Sequence, residues 1–534
     1  MKKLAILFFA ILFYFPHNFL FSQAPLIHLS FSKGDETKNK TPIKSEEATY
    51  TVDLMRQSFV EGLQDYALDL SENAMHRRPW IIDSLQSQKI QTAGSFSVQI
   101  WVKTLPGAEQ GTPIIGNQIS EDKPVVGWQI GSQENGAWSL HLSDGKNQYR
   151  YQPTGRLSIN DGNWHQILFS VERPKNEARM YFDGKAVAIY NLGQLGDLKS
   201  PHRTVAGGSD EYFEWGSAGQ WKAFNGYLDE VKIWNRVLSR EEVQASWQAF
   251  FPNRSPKVQK KMPQQLKVMA WNIWHGGRRY GEKVGVKRTI ESIKAVNPDI
   301  VGLIETYGSG EKIADALGYE FYLISSNLSI MSKYPITETI EAFRAFNFGG
   351  AEIEIAPGKK VLMLNTWLHY LPDYLKSVNE GNLSSEELIA AEGETRFAEI
   401  SSILKEMKPH LKQDKYVGIL MSGDFNSGSH LDWIPLTQNI HQNYVVAWPE
   451  SKAMLEAGFT DSFRELHINP AMDPGYTWTP RAATSSNKYG MRDRIDYIYY
   501  QGKDMQAIYS RVIDYHPIMF PSDHAAVLSV FRLE

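Results

Sequence analysis

The stretch "PSDHAAVLSVFRLE" (residues 521–534) places an acid and an imidazole, Asp523 and His524, directly before an alternating apolar run. Such a run, rich in branched side chains, predicts a strand of the core. Taken alone, an Asp-His pair at the start of a strand indicates a turn with a capping Asp. The alternative is that the pair has a chemical function, and the rest of the chain decides between these two interpretations.

The length and composition limit the classes of protein that the chain can represent. Its 534 residues exceed what one hydrophobic core usually organises, so we expect at least two domains. The formal net charge of −4 does not indicate a nucleic-acid partner, although it leaves room for a local basic patch. The chain contains no cysteine, which excludes disulfide bonds, thiol catalysis and a lipid-modified N-terminal Cys.

Residues 1–24 have the pattern of a bacterial-type export signal. A start with two lysines is followed by an apolar stretch at 4–15 and by a small-x-small cleavage site, Ser22-Gln23-Ala24. An uncleaved anchor is the alternative, but Pro16 interrupts the apolar stretch early, and no other segment approaches 18 uninterrupted apolar residues. We therefore expect an exported mature protein, periplasmic or extracellular, without a transmembrane segment.

The composition changes at "PNRSPKVQKKMPQQ" (252–265), which contains three prolines and no apolar periodicity and so predicts a linker. Before it, residues 25–251 show short alternating runs separated by turn signals, which predict an all-β sandwich or jelly roll. After it, residues 266–534 alternate strand and helix patterns. This second segment predicts an α/β domain with a large core.

Three stretches of the first domain, "SFSVQIWVKT" (95–104), "DGNWHQILFSVE" (161–172) and "FNGYLDEVKIWNRVLSREEV" (224–243), resemble the concanavalin A-like, laminin G-like jelly roll. The resemblance implies an all-β jelly-roll sandwich that binds a glycan or a cell-surface ligand, or that only packs on the second domain. It also allows a structural Ca²⁺ beside Asp229 and Glu230, with a solvated turn as the alternative.

Polar side chains recur in the second domain where apolar runs stop. They are Asn272, Glu305, His369, Asp424, Asn426, Asp496, Asp523 and His524. Any one of them alone predicts a turn residue, but so many in one domain predict a shared site at one sheet edge. Carboxylates and amides predominate, and such hard oxygen ligands suit Mg²⁺ or Mn²⁺ better than Zn²⁺.

Five stretches in this order, "WNIW", "DIVGLIET", "SGDFN", "RIDYIYY" and "SDH", resemble the endonuclease/exonuclease/phosphatase superfamily from about residue 266 to the C-terminus. The superfamily includes deoxyribonucleases, abasic-site endonucleases, sphingomyelinases and inositol-polyphosphate phosphatases. The resemblance implies a four-layer α/β sandwich, in which two β-sheets are flanked by helices. It also implies a metal-dependent hydrolase that acts on phosphoric ester bonds.

The same resemblance implies which residues hold the metal ion. Glu305 is expected to be the main Mg²⁺ carboxylate, with Asn272 and Asp523 near the ion or on it. A divalent ion in this position suits the reaction, because phosphoester hydrolysis accumulates negative charge on the phosphate oxygens.

It also implies the residues that act on water and phosphate. Asp424 is expected to orient or deprotonate the attacking water, and Asn426 to donate to a phosphate oxygen. His524 is expected to contact the phosphate or to activate the nucleophile, with Asp496 as its partner. An acid paired with a histidine sets a base near neutral pH, and the sequence leaves open which of Asp424 and His524 is the base.

The chain departs from the family pattern in "NTWLHY", where Trp367 stands at the position of a histidine that commonly follows Thr. His369 comes two residues later. Residues i and i+2 of a strand share a face and lie about 6.6 Å apart. His369 therefore reaches the same pocket in one interpretation and is an unrelated strand-end histidine in the other. The chain also departs from the family pattern at Ile304, where relatives often have a Gln directly before the metal-binding Glu. We expect no loss of function from this difference, because that Gln usually has a supporting role.

We expect a secreted, Mg²⁺-dependent hydrolase of phosphoric esters, most simply a phosphodiesterase. Within this class the alternatives are an extracellular nuclease, for which the charge gives no basic signature, and a sphingomyelinase-type or inositol-phosphate-type hydrolase. In a different class, the jelly roll is the functional centre and the hydrolase domain a passenger. The long segment 371–395 is expected to select the substrate, because long loops over a site usually do so.

Overall fold

The computed structural model describes residues 24–30, 40–45, 48–53, 58–74, 79–82, 87–106, 111–118, 125–208, 224–254, 261–412, 414–480 and 490–534. The predicted signal peptide, apart from Ala24, and the centre of the predicted linker (255–260) lie outside these residues. In the described ranges, no helix is both long and apolar enough to cross a membrane.

The N-terminal part of the chain is built from short strands followed by a helix. These elements are β1 (Ile27–Leu29), β2 (Lys40–Ser45), β3 (Ala48–Asp53), β4 (Ser58–Glu61), β5 (Tyr66–Asp69), β6 (Trp80–Ile81), β7 (Phe96–Lys103), β8 (Pro113–Gly116), β9 (Gly127–Ser132), β10 (Trp138–Ser143), β11 (Gln148–Tyr151), β12 (His165–Glu172), β13 (Glu177–Phe182), β14 (Lys185–Asn191), β15 (Val205–Ala206), β16 (Tyr227–Trp234) and α1 (Arg240–Gln248).

Two sheets of these strands form the predicted jelly-roll sandwich. One has the order β11-β10-β9-β8-β15-β6, and the other contains β4, β5, β16, β7, β12, β13 and β14 as neighbours in that order. Their inner faces share one core, in which Phe96, Trp128 and Phe169 pack ring against ring. Alternating apolar residues predicted these strands, because every second side chain faces the core.

The C-terminal part alternates strands with helices. Its elements are β17 (Gln265–Asn272), α2 (Glu282–Val296), β18 (Ile300–Ile304), α3 (Gly310–Leu317), β19 (Glu320–Leu323), β20 (Leu328–Ser332), β21 (Ile336–Ile340), β22 (Phe348–Ala356), β23 (Lys359–Trp367), α4 (Tyr374–Glu380), α5 (Ser385–Gly393), α6 (Arg396–Met407), β24 (Gly418–Asp424), α7 (Pro449–Glu456), β25 (Thr460–Asp461), α8 (Ser462–Leu466), β26 (Asp496–Gln501), β27 (Met505–Ile513) and β28 (Ala526–Leu533).

These elements form the predicted four-layer sandwich. The strands β27-β28-β17-β18-β20-β19 lie side by side, and β21-β22-β23-β24-β26-β25 form a second sheet. A core between them contains Val268 of the first sheet and Met363 of the second. Ile293 of α2 packs in the core on the outer face of the first sheet, and Ile400 of α6 on that of the second. The predicted fold class is therefore confirmed for both parts of the chain.

The segment 371–395, predicted as a long connector, contains the two short helices α4 and α5. Asp373 begins α4 by accepting a hydrogen bond from Lys376 N at 3.0 Å. Ser384 begins α5 in a capping box with Glu387. Such caps satisfy backbone N–H groups at a helix start, which allows short helices to form.

The two parts of the chain share one continuous sheet of 14 strands. Strand β14 of the jelly roll pairs in parallel with β19, so that Ile189 lies opposite Tyr322. The sequence did not predict this pairing. It covers backbone groups that an edge strand would otherwise leave unpaired. Ion pairs also cross the junction, among them those from Arg240 to Glu320 and from Arg156 to Asp315, each at 2.6 Å, and from Lys175 to Glu338 at 3.0 Å.

Candidate active site

The ends of five strands bring the predicted polar residues together. Asn272 ends β17 and Glu305 follows β18, and these two strands pair in parallel. Asp424 ends β24 opposite Asp496, the first residue of β26. His524 lies two residues before β28. One edge of the sandwich therefore collects carboxylates, an amide and an imidazole from both sheets.

Asn272 connects the two sheets at this edge. Its amide Nδ2 donates to Glu305 Oε1 at 3.2 Å and to Asp424 Oδ2 at 3.0 Å. Its Oδ1 accepts a hydrogen bond from Trp274 N at 3.0 Å. Because Asn272 is fully buried and all of its polar atoms are used, it holds Glu305 and Asp424 in a defined separation.

Asp424, Asp496 and His524 form a buried cluster. His524 Nδ1 lies 2.9 Å from Asp496 Oδ2, and His524 Nε2 lies 4.0 Å from Asp424 Oδ2. The backbone of His524 is fixed as well, since its N donates to Ser522 Oγ at 3.0 Å and its O accepts from Trp271 Nε1 at 2.9 Å. The imidazole is thus held between two carboxylates.

The charges within this cluster, together with burial, shift the pKa values of Asp424 and His524. Burial, together with the negative charge of Asp496, raises the pKa of Asp424 to about 7. Burial by itself lowers the pKa of His524, but the charges of Asp496 and Asp424 outweigh it and raise that pKa well above its usual value. Near neutral pH, Asp424 is therefore able to accept a proton while His524 is an imidazolium donor.

Glu305 lies beside this cluster with part of its side chain exposed. Its backbone has a φ of 57°, in the left-handed region, and its Oε2 accepts a hydrogen bond from His275 N at 2.9 Å. A carboxylate has about four lone-pair sites, so two hydrogen bonds leave acceptor capacity on Glu305. This capacity, at the partly exposed end of the site, fits a bound cation.

The carboxylates of the site fit a hard divalent cation. One ligand atom each from Asp424, Asp496 and His524 lie within 4.8 Å of one another. Asp496 Oδ1 is buried without a hydrogen-bond partner in the described part of the chain. The raised pKa of His524 favours the imidazolium form, which has no free ring lone pair for a metal ion, so the donors suited to an ion are oxygens. The assignment of Asn272, Glu305 and Asp523 as metal ligands stays a prediction.

The remaining predicted residues lie around the cluster. Asn426 N donates to Asp424 Oδ1 at 2.9 Å, and its Nδ2 donates to Leu368 O at 2.9 Å. Asp523 is buried, and its charge contributes to the raised pKa of His524. His369 is exposed, its Nδ1 lies 3.1 Å from Leu371 N, and its ring stacks on Tyr370. The role of His369 stays a prediction.

Sequence reasoning did not single out Trp274, His275 and Tyr307, which flank the site, and it noted Trp367 only as the replacement of an expected histidine. His275 stacks on Tyr307 at 5.7 Å beside Glu305, with Trp274 next to it. On the other side, Trp367 is the Cα partner of Asp424 across β23 and β24. A sequence pattern that could have indicated these residues is the recurrence of aromatic residues directly after predicted strands, in "WNIWHGG", "ETYG" and "NTWLHY".

The residues predicted for a Ca²⁺ site in the jelly roll are bound by the chain itself. Glu230 pairs with Lys232 Nζ at 2.6 Å and with His28 Nε2 at 3.1 Å. Asp229 accepts hydrogen bonds from Leu63 N and Glu230 N, at 2.9 and 2.7 Å. A Ca²⁺ ion would have to displace these partners, and its presence stays a prediction.

Both parts of the chain match a family model. A model of the Concanavalin A-like lectin/glucanases superfamily matches residues 83–244, and a model of the Endonuclease/Exonuclease/phosphatase family matches residues 269–524. An uncharacterized protein of Caenorhabditis elegans is 28% identical over 294 residues, 49% of this chain and 90% of the relative. The non-toxic nonhemagglutinin of Paraclostridium bifermentans is 23% identical over 40% of this chain, which spans only 16% of that protein.

Solved structures are similar to part of the chain. TDP2 of Caenorhabditis elegans is 19% identical in sequence and has a TM-score of 0.36. The superposition covers 55% of this chain and 82% of the TDP2 chain. An AP endonuclease of Archaeoglobus fulgidus is 16% identical in sequence and has a TM-score of 0.35. The superposition covers 50% of this chain and 99% of the endonuclease chain. The family match over residues 269–524 is to the Endonuclease/Exonuclease/phosphatase family and indicates a metal-dependent hydrolase of phosphoric esters, and the match over residues 83–244 is to the Concanavalin A-like lectin/glucanases superfamily.

Proposed function

We propose that the protein is an exported phosphodiesterase that requires Mg²⁺, with Mn²⁺ as the alternative ion. The observation that supports this proposal most directly is the buried cluster of Asp424, Asp496 and His524, joined by Asn272 to Glu305. It combines a base, a cationic donor and oxygen ligands within one site, which are the groups that phosphoester hydrolysis needs.

In the proposed mechanism, Asp424 accepts a proton from the water whose oxygen bonds to phosphorus. The bond between phosphorus and the leaving ester oxygen breaks, and that oxygen departs as an alcohol after it takes up a proton from solvent. His524, held as an imidazolium by Asp496, donates to a phosphate oxygen on which negative charge develops. Asn272 positions Asp424 through the 3.0 Å hydrogen bond to its Oδ2. A divalent ion held by Glu305, with Asn272 and Asp523 near it, would neutralise charge on the same phosphate.

A substrate panel tests this function. DNA, RNA, sphingomyelin, glycerophosphodiesters and inositol phosphates would each be incubated with the purified full chain, with Mg²⁺, with Mn²⁺ and with EDTA. We expect diester hydrolysis that EDTA abolishes and that His524→Ala and Glu305→Ala lose. The exposed His410 provides a matched control, since His410→Ala leaves the site intact. Turnover that survives in both site variants would contradict the proposal.

Export is a separate part of the proposal and rests on the pattern of residues 1–24 alone. Its test is expression in a bacterium with a periplasm, followed by fractionation and intact-mass measurement. We expect a periplasmic or secreted protein that lacks residues 1–24. A cytoplasmic protein of full mass would contradict it.

For the jelly roll we propose binding of a glycan. A pocket of about 390 Å³ is lined by polar residues, among them Ser87, Thr92, Asn117, Lys199 and Thr204. Polar groups converging in a pocket of this size are typical of small-ligand sites. A glycan array with the full chain would test this binding, with the exposed Lys199 changed to Glu as the comparison. Absence of any glycan signal from the unmodified protein would contradict the proposal.

A further inference from the structure

Trp367 lies in the same row of the sheet as the reacting carboxylates. It is the last residue of β23, its Cα partner on β24 is Asp424, and the partner of Asp424 on β26 is Asp496. Side chains at paired positions of neighbouring strands point to the same face, and neighbouring strands lie about 4.8 Å apart. The indole of Trp367 is therefore next to Asp424, where the phosphoester must be placed for Asp424 to act on water.

Trp367 belongs to a group of four rings that we call the aromatic shelf: Phe346, Trp367, His369 and Tyr370. Phe346 meets Trp367 edge to face, with centroids 5.7 Å apart, and Tyr370 lies 6.2 Å from Trp367. His369 and Tyr370 are stacked at 5.2 Å and 17°. Phe346 is 43% exposed and Tyr370 is 53% exposed, so large ring faces meet the solvent beside the site.

Side chains of α5 and α6 hold the backbone of the aromatic shelf through hydrogen bonds and an ion pair. Arg396, which is 1% exposed, donates from Nη2 to Tyr370 O and to Pro372 O, both at 2.8 Å. Glu392 pairs with Arg396 at 2.7 Å inside the protein. His369 N donates to Glu399 Oε2 at 2.8 Å. A buried arginine that fixes a loop bearing exposed aromatic rings is typical of a preorganised binding surface.

We infer that the aromatic shelf binds a planar aromatic ring attached to the scissile phosphate, either a nucleobase or another aryl group. This inference deepens the proposed phosphodiesterase function and rests on it. A ring is favoured over an alkyl chain because flat ring faces stack with one another, and each aromatic face can accept any base or aryl ring. Trp367, in place of a second histidine, thus adds ring binding to the site rather than a further phosphate donor.

The test compares substrates that differ in their rings. A dinucleoside monophosphate offers a nucleobase, bis(p-nitrophenyl) phosphate offers an aryl group, and glycerophosphocholine offers no ring. In Tyr370→Ala we expect KM to rise about ten-fold for a ring-bearing diester, since stacking on one aromatic residue contributes on that order. Turnover of glycerophosphocholine should stay within about two-fold. The diester whose KM rises in Tyr370→Ala shows whether the aromatic shelf binds a nucleobase or another aryl group.

Tyr509, which is 47% exposed on β27, provides the matched control, since Tyr509→Ala removes a similar ring far from β23. Trp367→Phe retains a ring and should raise KM less than Tyr370→Ala does. If Tyr370→Ala impairs hydrolysis of ring-bearing and ring-free diesters equally, or changes neither, the aromatic shelf does not bind the ring. The proposed hydrolase function would not be affected by this result.

A binding measurement separates failure of this inference from failure of the proposed function. Adenosine and p-nitrophenol lack a phosphoester, and their binding can be followed by quenching of tryptophan fluorescence. We expect binding that Tyr370→Ala weakens about ten-fold and Tyr509→Ala leaves unchanged. If the unmodified protein hydrolyses none of the diesters, the proposed function fails. If it binds neither ring, or if Tyr370→Ala binds both as well as before, the inference fails.

Discussion

His524 and Asp496 join the two sheets of the catalytic domain at its reactive edge. Asp496 begins β26 of one sheet, His524 precedes β28 of the other, and Nδ1 and Oδ2 lie 2.9 Å apart. Both side chains are buried, so their attraction is weakly screened by solvent. The contact therefore fixes the orientation of the imidazole, and the charge of Asp496 raises the pKa of His524.

Replacing Asp496 by Asn should lower kcat/KM by about 10²- to 10⁴-fold, because the imidazolium of His524 loses its charged partner. Steady-state kinetics on the best diester of the substrate panel would measure the loss. The exposed Asp514 serves as the control, since Asp514→Asn removes a carboxylate far from the cluster. An Asp496→Asn variant that folds and retains more than about a tenth of the activity would contradict the assigned role.

The activity should rise with pH through about 7. Burial and the charge of Asp496 raise the pKa of Asp424 to about 7, and only the ionised carboxylate, present above that pKa, can accept a proton from water. Removing the charge of Asp496 lowers that pKa, so the acid limb of Asp496→Asn should move to lower pH. The measurement is kcat/KM between pH 5 and pH 9 for both proteins. An acid limb at the same pH in both would show that another group controls it.

Glu305→Gln should raise the Mg²⁺ concentration needed for half-maximal activity by at least about ten-fold, because the cation loses a negative ligand. Calorimetric titration of the EDTA-treated protein with Mg²⁺ gives a readout that does not depend on turnover. The neighbouring helix supplies the control, since the carboxylate of Glu282 is 77% exposed. Equal Mg²⁺ affinity in Glu305→Gln and Glu282→Gln would remove Glu305 from the metal site.

Asp315→Ala should destabilise the junction between the two domains by about 2–3 kcal/mol. The buried carboxylate accepts hydrogen bonds from Thr154 N at 2.9 Å and from Arg156 Nη2 at 2.6 Å, and its loss leaves these donors unpaired. Urea unfolding would measure the change, with a single transition expected for the joined domains. Arg532→Ala, which removes a pair at 3.8 Å between exposed side chains, should change stability by less than about 0.5 kcal/mol. Equal effects of the two substitutions would contradict the structural role of Asp315.

Much of the fold could be predicted because local patterns agree with the tertiary structure. The helix α2 ends at Val296, and Asn297 after it adopts a φ of 50° before Pro298, a residue pair that favours the end of a helix. The strands that lead to Asp424 and Asp496 are apolar runs that stop at a polar residue. Site residues of this kind can be recognised in the sequence because a buried strand changes from apolar to polar residues where it reaches the site.

The pairing of β14 with β19 could not be predicted. Ile189 and Tyr322 are 133 residues apart, and each belongs to a strand whose own pattern is complete without the other. Strand pairing uses backbone N–H and C=O groups, which every non-proline residue has, so side-chain patterns do not specify the partner. Arg396 was missed for a related reason, since the carbonyls it binds belong to a loop 24 and 26 residues away.

By itself, the sequence determined where strands and helices lie and which side chains could supply acid, amide and imidazole groups, because periodicity and residue chemistry are local properties. Only the tertiary structure decided that Asp424, Asp496 and His524 share one buried cluster and that the jelly roll extends the catalytic sheet. The physical reason is that burial and charge proximity depend on how the two sheets pack. These quantities raise the pKa of Asp424 to about 7 and so determine the chemistry available to the site.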